Sequence, residues 1–251
     1  AQIVSGLKHA ENDPRDIASR TFFKSIFGDH PYARPVSGNF ETVANLNAND
    51  FRDFVRRAFA KDNLIVGVAG DITAEELGPL LDEAFGSLPD NSDLPEVSDV
   101  TPQFGAIDVV QQDIPQSQAI WGQKGIKRKD PDFYAAYVMN YILGGGGFSS
   151  RLTEEVREKR GLAYGVSQEE LDNAKSYLTG AFPLRFTSLG NLSGMLVGMQ
   201  KEDLGMDFLD RRNAMVDAVS LDDVNRVAAS LMDPENVTVT VVGKPEGDLA
   251  F

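Results

Sequence analysis

Two stretches of the chain repeat one pattern of apolar and polar positions. Between residues 48 and 71, Phe51, Phe54, Val55, Ala58 and Phe59 fall at i, i+3, i+4, i+7 and i+8, which is one face of a helix. The branched run 64–69 that follows reads as a strand ending at the turn pair Gly70 and Asp71. Between 221 and 244, Val224, Val227, Ala228, Leu231 and Met232 form the same helical face, followed by Asn236, a strand of alternating Val and Thr, and Gly243. Phe51 and Val224, Asn63 and Asn236, Val66 and Val239, and Gly70 and Gly243 are all separated by one constant offset, with no gap. This agreement predicts a duplicated helix-to-strand unit. The second repeat begins near Gly105, whose counterpart at that offset lies before residue 1, so the first repeat is expected to lack its front. The expected organisation is a partial first repeat over 1–88, a linker over 89–102 and a second repeat over 103–251. Around that linker, 87–103 is rich in proline, serine and aspartate without apolar periodicity.

The remaining elements follow from the same reading. A helix starting near Pro14 turns Ile17, Phe22, Phe23 and Ile26 toward a core, and Leu77, Leu80, Leu81, Ala84 and Phe85 mark another amphipathic helix. In the second repeat, strands are predicted near 106–111 and 117–122, then a helix over 132–143 that Asp130 and Pro131 start. Glycines 144 to 147 stop that helix, Ser149 or Ser150 caps a short charged helix over 151–160, and Gly161 ends it. Strands near 163–168 and 176–184, a helix near 189–203 and the repeated helix and strand complete the order. Alternating pairs of strands and helices predict an α+β fold, each repeat an antiparallel or mixed sheet covered by helices on one face.

Composition narrows the function classes. With 251 residues, 42% hydrophobic and 25% charged, the chain has the make-up of a globular protein able to bury a large core. A net charge of −14 opposes binding to nucleic acid or anionic lipid. No cysteine is present, which excludes disulfides and thiolate metal sites and fits periplasm or cytoplasm equally. No apolar run approaches membrane-spanning length, and no export signal is read at the start.

Four glycines in a row invite a phosphate-binding reading, but a P-loop needs Gly-Lys-Ser/Thr after its glycines and a dinucleotide loop must follow a strand. Here the glycines follow a helix. Gly144, Gly145, Gly146 and Gly147 are therefore read as a helix-to-helix connection whose backbone donors form a candidate substrate-contact loop. Ser149 and Ser150 lack a nearby base in the sequence, His9 and His30 sit in no triad-like context, and no pair of histidines has metal-ligand spacing. Glu154, Glu155, Glu169 and Glu170 read as solvated faces or acid/base pairs. Arg160 and Tyr164 differ, because a helix end, the Gly161 pivot and a strand start bring a guanidinium and a phenol together. Two such donors either stack as a structural corner or polarise a peptide carbonyl and stabilise the oxyanion formed on attack.

The residues SSRLTEEVREKRGLAYGV (149–166) resemble the C-terminal half of pitrilysin/insulinase-type metallopeptidases, the inverzincins that include the mitochondrial processing peptidases. The likeness extends through ENDPRDIASRTFF (11–23), HPYARPVSG (30–38), NLIVGVAGD (63–71) and MNYILGGGGFSSRL (139–152). It implies two repeated α+β halves facing a chamber, with zinc held in one half on a helix bearing H-x-x-E-H. From the other half an arginine and a tyrosine reach the substrate, roles that fall on Arg160 and Tyr164. The H-x-x-E-H helix would be the first-repeat counterpart of 132–143, before residue 1. The family's downstream glutamate ligand falls in the window 2–14, where Ser5 and Gly6 stand. The resemblance thus implies a chain without catalytic residues or metal, acting on peptide or unfolded polypeptide, with zinc in a partner. That partner is a homologous zinc-bearing peptidase subunit or a second copy. Two rival expectations are a fragment of an active zinc endopeptidase and a structural assembly subunit.

Overall fold

A computed structural model describes residues 2–147, 150–152 and 166–245. They form two compact units that interleave along the chain, one built from 1–59, 92–125 and 232–251, the other from 60–91 and 126–231.

The first unit is a small sheet with helices. Strands β1 (Ile107–Gln111) and β2 (Gln118–Gly122) flank β3 (Thr238–Gly243), parallel and antiparallel to it respectively. Val239 pairs with Ile107 on one side and Trp121 on the other. All six residues of β3 are buried, as its branched sequence TVTVVG suits. Helix α1 (Gln2–Ala10) precedes α2 (Pro14–Phe27), which packs on the sheet through Ala18, Phe22 and Ile26. Helix α2 starts where Asp13 accepts hydrogen bonds from the amides of Arg15 (2.9 Å) and Asp16 (3.2 Å), with Pro14 in the first turn. Of the predicted face, Phe22 and Ile26 are buried; Ile17 is only half-buried, Phe23 is exposed, and Ala18 takes the contact instead. Helices α3 (Phe40–Ala44) and α4 (Ala48–Ala58) complete this unit.

The second unit holds the larger apolar cluster. Helices α5 (Ala74–Phe85), α6 (Phe133–Asn140), α7 (Gln168–Gly180), α8 (Leu189–Lys201), α9 (Phe208–Asp217) and α10 (Leu221–Leu231) belong to it. Val138 and Ile142, Leu171 and Leu178, Val216, and Val224 and Val227 meet in one core. The seam between α6 and α10 is closed by Arg226, which donates to both oxygens of Asp132 at 2.6 and 2.7 Å and holds that carboxyl below the usual range.

The predicted α+β class, strands near 106–111 and 117–122, and helices from Pro14 and near 189–203 are all present. Both copies of the repeated segment form a helix of 11 residues, 48–58 and 221–231, then a 3₁₀ turn, Lys61–Asn63 and Pro234–Asn236, all at the offset read from the sequence. The caps repeat as well. The Asn47 amide donates to Asp50 at 2.8 Å, and that of Ser220 donates to Asp223 at 3.0 Å.

Two expectations fail. Residues 64–69 form no strand, because the ladder partners that make 238–243 a strand have no counterpart beside them among the described residues. Among those residues one sheet is therefore found where two were expected. The predicted strand 176–184 is instead the end of α7 and a 3₁₀ turn, Pro183–Phe186, because a capping box at Ser167 and Glu170 starts a helix whose Leu171, Ala174 and Leu178 share a buried face. Of the predicted strand 163–168, residues 163–165 and the helix 153–160 lie outside the described residues, while 166–167 precede α7 without strand pairing.

The sheet and α2 meet most closely at Gly122, where an added Cβ would collide with the Phe22 ring. Gly122→Ala is expected to destabilise the protein by about 1–3 kcal/mol, the range for overpacking. Phe22→Leu in the same chain should recover part of that loss, as urea unfolding in a double-mutant cycle would measure.

Candidate functional site

The glycine loop is the candidate contact surface within the described residues. Helix α6 widens into a π-helical turn, Tyr141–Gly145, closed by the Gly146 amide donating to the Tyr141 carbonyl at 2.8 Å. Gly147 follows at φ +61°, a left-handed conformation that favours glycine. The Gly147 carbonyl accepts from both the amide (3.1 Å) and the hydroxyl (2.7 Å) of Ser150, which is buried. Residues 141–147 thus form a hydrogen-bonded helix end. Gly144, Gly145 and Gly147 are exposed and Gly146 is half-buried.

Next to it stands an interaction that the sequence reading missed. The Arg151 guanidinium forks onto the Glu170 carboxylate, Nε to Oε1 at 2.5 Å and Nη2 to Oε2 at 2.6 Å. Glu170 also accepts from the Ser167 amide and hydroxyl, each at 2.8 Å. The Arg151 hydrogen bonds, with those from Ser167, pull the Glu170 carboxyl down to about 2 against the opposing effect of burial. Glu170 is therefore a fixed anion and no acid/base group, while Glu169 is exposed. Just before that cap, the Val166 amide donates to the Asn225 side chain at 3.1 Å. Both borders of 153–165 are thereby tied to the second unit. Arg160 and Tyr164, the residues expected to bind substrate, lie between them and outside the described residues, as do Ser149, Glu154 and Glu155. The signal that could have revealed the clasp was Ser-x-x-Glu at 167–170, a capping box.

Among the described residues both histidines make structural contacts. His30 caps a 3₁₀ turn by accepting from the Tyr32 amide, its other ring nitrogen lies 2.9 Å from the Ser98 carbonyl, and His9 is exposed near Asp13. Tyr32 packs edge to face against Phe27 and against His30, and Phe27 and Tyr32 line a cavity of about 550 Å³ together with Phe23, Arg20 and Arg34. Ser5 and Gly6, at the place of the family's downstream zinc ligand, lie on α1. Among the described residues no group of three His, Cys, Asp or Glu side chains is placed to hold a metal, so the residues described do not fit a zinc site. No described helix is long and apolar enough to cross a membrane.

Glu170 makes a pH prediction. Its folded value, about 2, lies below its ordinary 4.5, so its stabilisation is complete above about 4.5 and is lost as pH falls toward 2. Glu170→Gln should cost about 1–3 kcal/mol at pH 7, since it removes the charged acceptor that the guanidinium forks onto, with screening by solvent at a side chain 31% exposed favouring the low end. The gap between variant and wild type should close as urea unfolding is repeated from pH 5 down to pH 2. A gap unchanged across that range would assign the loss to packing instead.

Residues 45–192 match the family model described as Peptidase M16 inactive domain. An uncharacterized zinc protease of Streptomyces coelicolor is 34% identical over 175 residues, which cover 65% of this chain and 37% of that protein. The non-peptidase homolog YmxG of Helicobacter pylori is 23% identical over 98% of this chain and 67% of its own. A crystal structure of a peptidase M16 inactive domain from Pseudomonas fluorescens superposes with a TM-score of 0.87 at 23% identity, over 98% of this chain and 70% of that one. The chain thus spans little more than a third of the length of its Streptomyces relative, and the solved structure bears on the fold alone. With a family match over more than half of its length, on a fold of the same kind, this chain belongs to the peptidase M16 inactive-domain family.

Proposed function

We propose that this chain is a non-catalytic member of a zinc metallopeptidase system that lends Arg160 and Tyr164 to a substrate chamber shared with a zinc-bearing partner. The observation that carries the proposal is a split in the sequence. The stretch 149–166 keeps both donors of the family motif, whereas Ser5 and Gly6 replace the carboxylate that would complete a zinc site. Neither serine nor glycine supplies the negative oxygen ligand that the ion requires. The likeness to a non-peptidase homolog over 98% of the chain supports the same reading.

In such a chamber, zinc held by the partner would supply the activation of water, and this chain's contribution would be electrostatic. A guanidinium and a phenolic hydroxyl donate to the scissile carbonyl oxygen, whose negative charge grows as water attacks, so they bind the transition state more tightly than the peptide. The exposed backbone at Gly144, Gly145 and Gly147 offers contacts to an extended peptide. A second reading, a piece of an active zinc endopeptidase, is favoured by the match to a zinc protease of which this chain covers 37%.

Metal analysis of the full-length polypeptide, which under the second reading carries H-x-x-E-H before residue 1, separates the two. After dialysis it is expected to retain no zinc, and a stoichiometric protein-bound ion would overturn the proposal. With the zinc-bearing partner present, Tyr164→Phe should lower peptide turnover by about 10²–10³, or roughly 3–4 kcal/mol, while assembly and folding persist. Full turnover in an assembled Arg160→Ala, Tyr164→Phe chain would make the pair a structural corner.

A further inference from the structure

The segment leading into α6, the turn after α8 and the first turns of α9 line a cavity of about 420 Å³, all of it within the second unit. It lies at the start of α6, away from the glycine loop at that helix's other end. The turn between α8 and α9 is sharp, with Asp203 at φ +52° and Gly205 at φ +87°. The Arg211 guanidinium donates to the Leu204 carbonyl and ties α9 back onto that turn.

Arg128 is half-buried at this cavity and lies among three rings, 4.0 Å from the centre of Phe133, 5.4 Å from Tyr134 and 5.7 Å from Phe208. One N–H donates to the Tyr134 hydroxyl at 3.3 Å, and among the described residues no carboxylate pairs with it. Ring faces and one neutral hydrogen bond offset only part of the solvation a half-buried cation loses. The same rings hold the guanidinium plane in place while most of its N–H donors remain unused, the arrangement that forks onto a planar carboxylate.

The other cations of the cavity are already matched. Lys129 pairs with Asp203 at 3.0 Å and Arg211 with Asp207 at 3.1 Å. Of the remaining lining carboxylates, Asp130 accepts from the Asp132 amide at 2.9 Å, whereas the half-buried Glu202 side chain has no partner among the described residues. Glu202 stands at the C-terminal end of α8, where helix carbonyls disfavour an anion, so its own helix gives it no stabilisation. One unpaired guanidinium and one unpaired carboxylate thus share a cavity without pairing to each other, beside the apolar side chains of Leu204, Phe208 and Met215. A purely anionic ligand would meet Glu202 and Asp130 as well as Arg128, and like charges brought together are costly. A ligand with both charges satisfies both ends.

We infer that this cavity binds a zwitterion of the amino acid class, a free amino acid or a dipeptide with an apolar side chain. Its carboxylate forks onto Arg128, its ammonium donates to Glu202, and its side chain packs on Leu204, Phe208 and Met215. The site stands independently of the role proposed for Arg160 and Tyr164, since none of its residues belongs to the motif 149–166.

Isothermal titration calorimetry on the full-length protein, with L-phenylalanine and with L-leucyl-L-phenylalanine as probes, is the test. At least one should bind, and the tighter of the two reports the separation of charges that the cavity spans. The N-acetylated form of that probe keeps only the carboxylate and the C-amidated form only the ammonium, and each should bind about 10-fold more weakly or worse, the loss of one charge-assisted hydrogen bond. Glu202→Gln should weaken the zwitterion by about the same factor and leave the N-acetylated form no weaker. Arg128→Lys, which keeps the charge and loses the fork, should weaken both. Thermal unfolding of each variant is followed in parallel; if Arg128→Lys loses its fold, Glu202→Gln, which removes no ring contact, decides. No binding of either zwitterion, equal binding of a singly charged form, or unchanged affinity in Glu202→Gln overturns the inference and leaves Arg128 a structural cation held by its rings.

Discussion

Strand β3 sets the terms for the first unit. Its six buried residues carry backbone donors and acceptors that water cannot reach, and a buried strand satisfies them only by pairing on both sides. Its partners, β1 and β2, end at Gln111 and Gly122, far earlier in the chain than Thr238, where β3 begins. The closing contacts are of the same long range. The Val239 amide donates to the Ala106 carbonyl at 2.8 Å, and the Thr238 hydroxyl accepts from the Gly105 amide at 3.0 Å. The face that α2 buries through Phe22 and Ile26 packs on that sheet, whose strands are brought together across the long separation from Gly122 to Thr238.

The second unit is organised differently, by helices whose polar seams are specific. Asp132 with Arg226 and Glu170 with Arg151 are forked pairs that orient planar groups, and each joins residues far apart in the chain. Arg212, buried inside the same unit, stacks its guanidinium 4.4 Å from the Phe182 ring centre and donates to the Leu178 carbonyl at 2.7 Å. In a chain of net charge −14, cations are the scarcer partner, and several of them serve as connectors. The Arg151 clasp stands where the family motif begins, and the Asn225 contact where it ends, so the stretch carrying Arg160 and Tyr164 leaves from one anchored point and returns to another.

Much of this was legible along the chain. Helical periodicity, caps and the constant repeat offset are local or arithmetic properties, and α2, α8 and the pair α4 and α10 follow from them. The family stands on the motif at 149–166, and with it the expectation for Arg160 and Tyr164. Two readings failed for one reason. A run such as 64–69 has every intrinsic feature of a strand, yet strand formation requires a neighbour, and no residue inside the run states whether one exists. Conversely, 176–180 was read as a strand although the deciding residues, Ser167 and Glu170, lie upstream of it at the helix start.

Helix starts, caps and the family were therefore written in short-range chemistry: period, capping side chains and a contiguous motif. Which apolar faces are covered was not. Phe51 and Val224 occupy equivalent places on equivalent helices, and one is 60% exposed while the other is sealed. Burial is a relation between elements, set by what lies across the contact and by long-range pairing such as Glu170 with Arg151. A linear pattern specifies a face; its partner is specified only where the chain folds back.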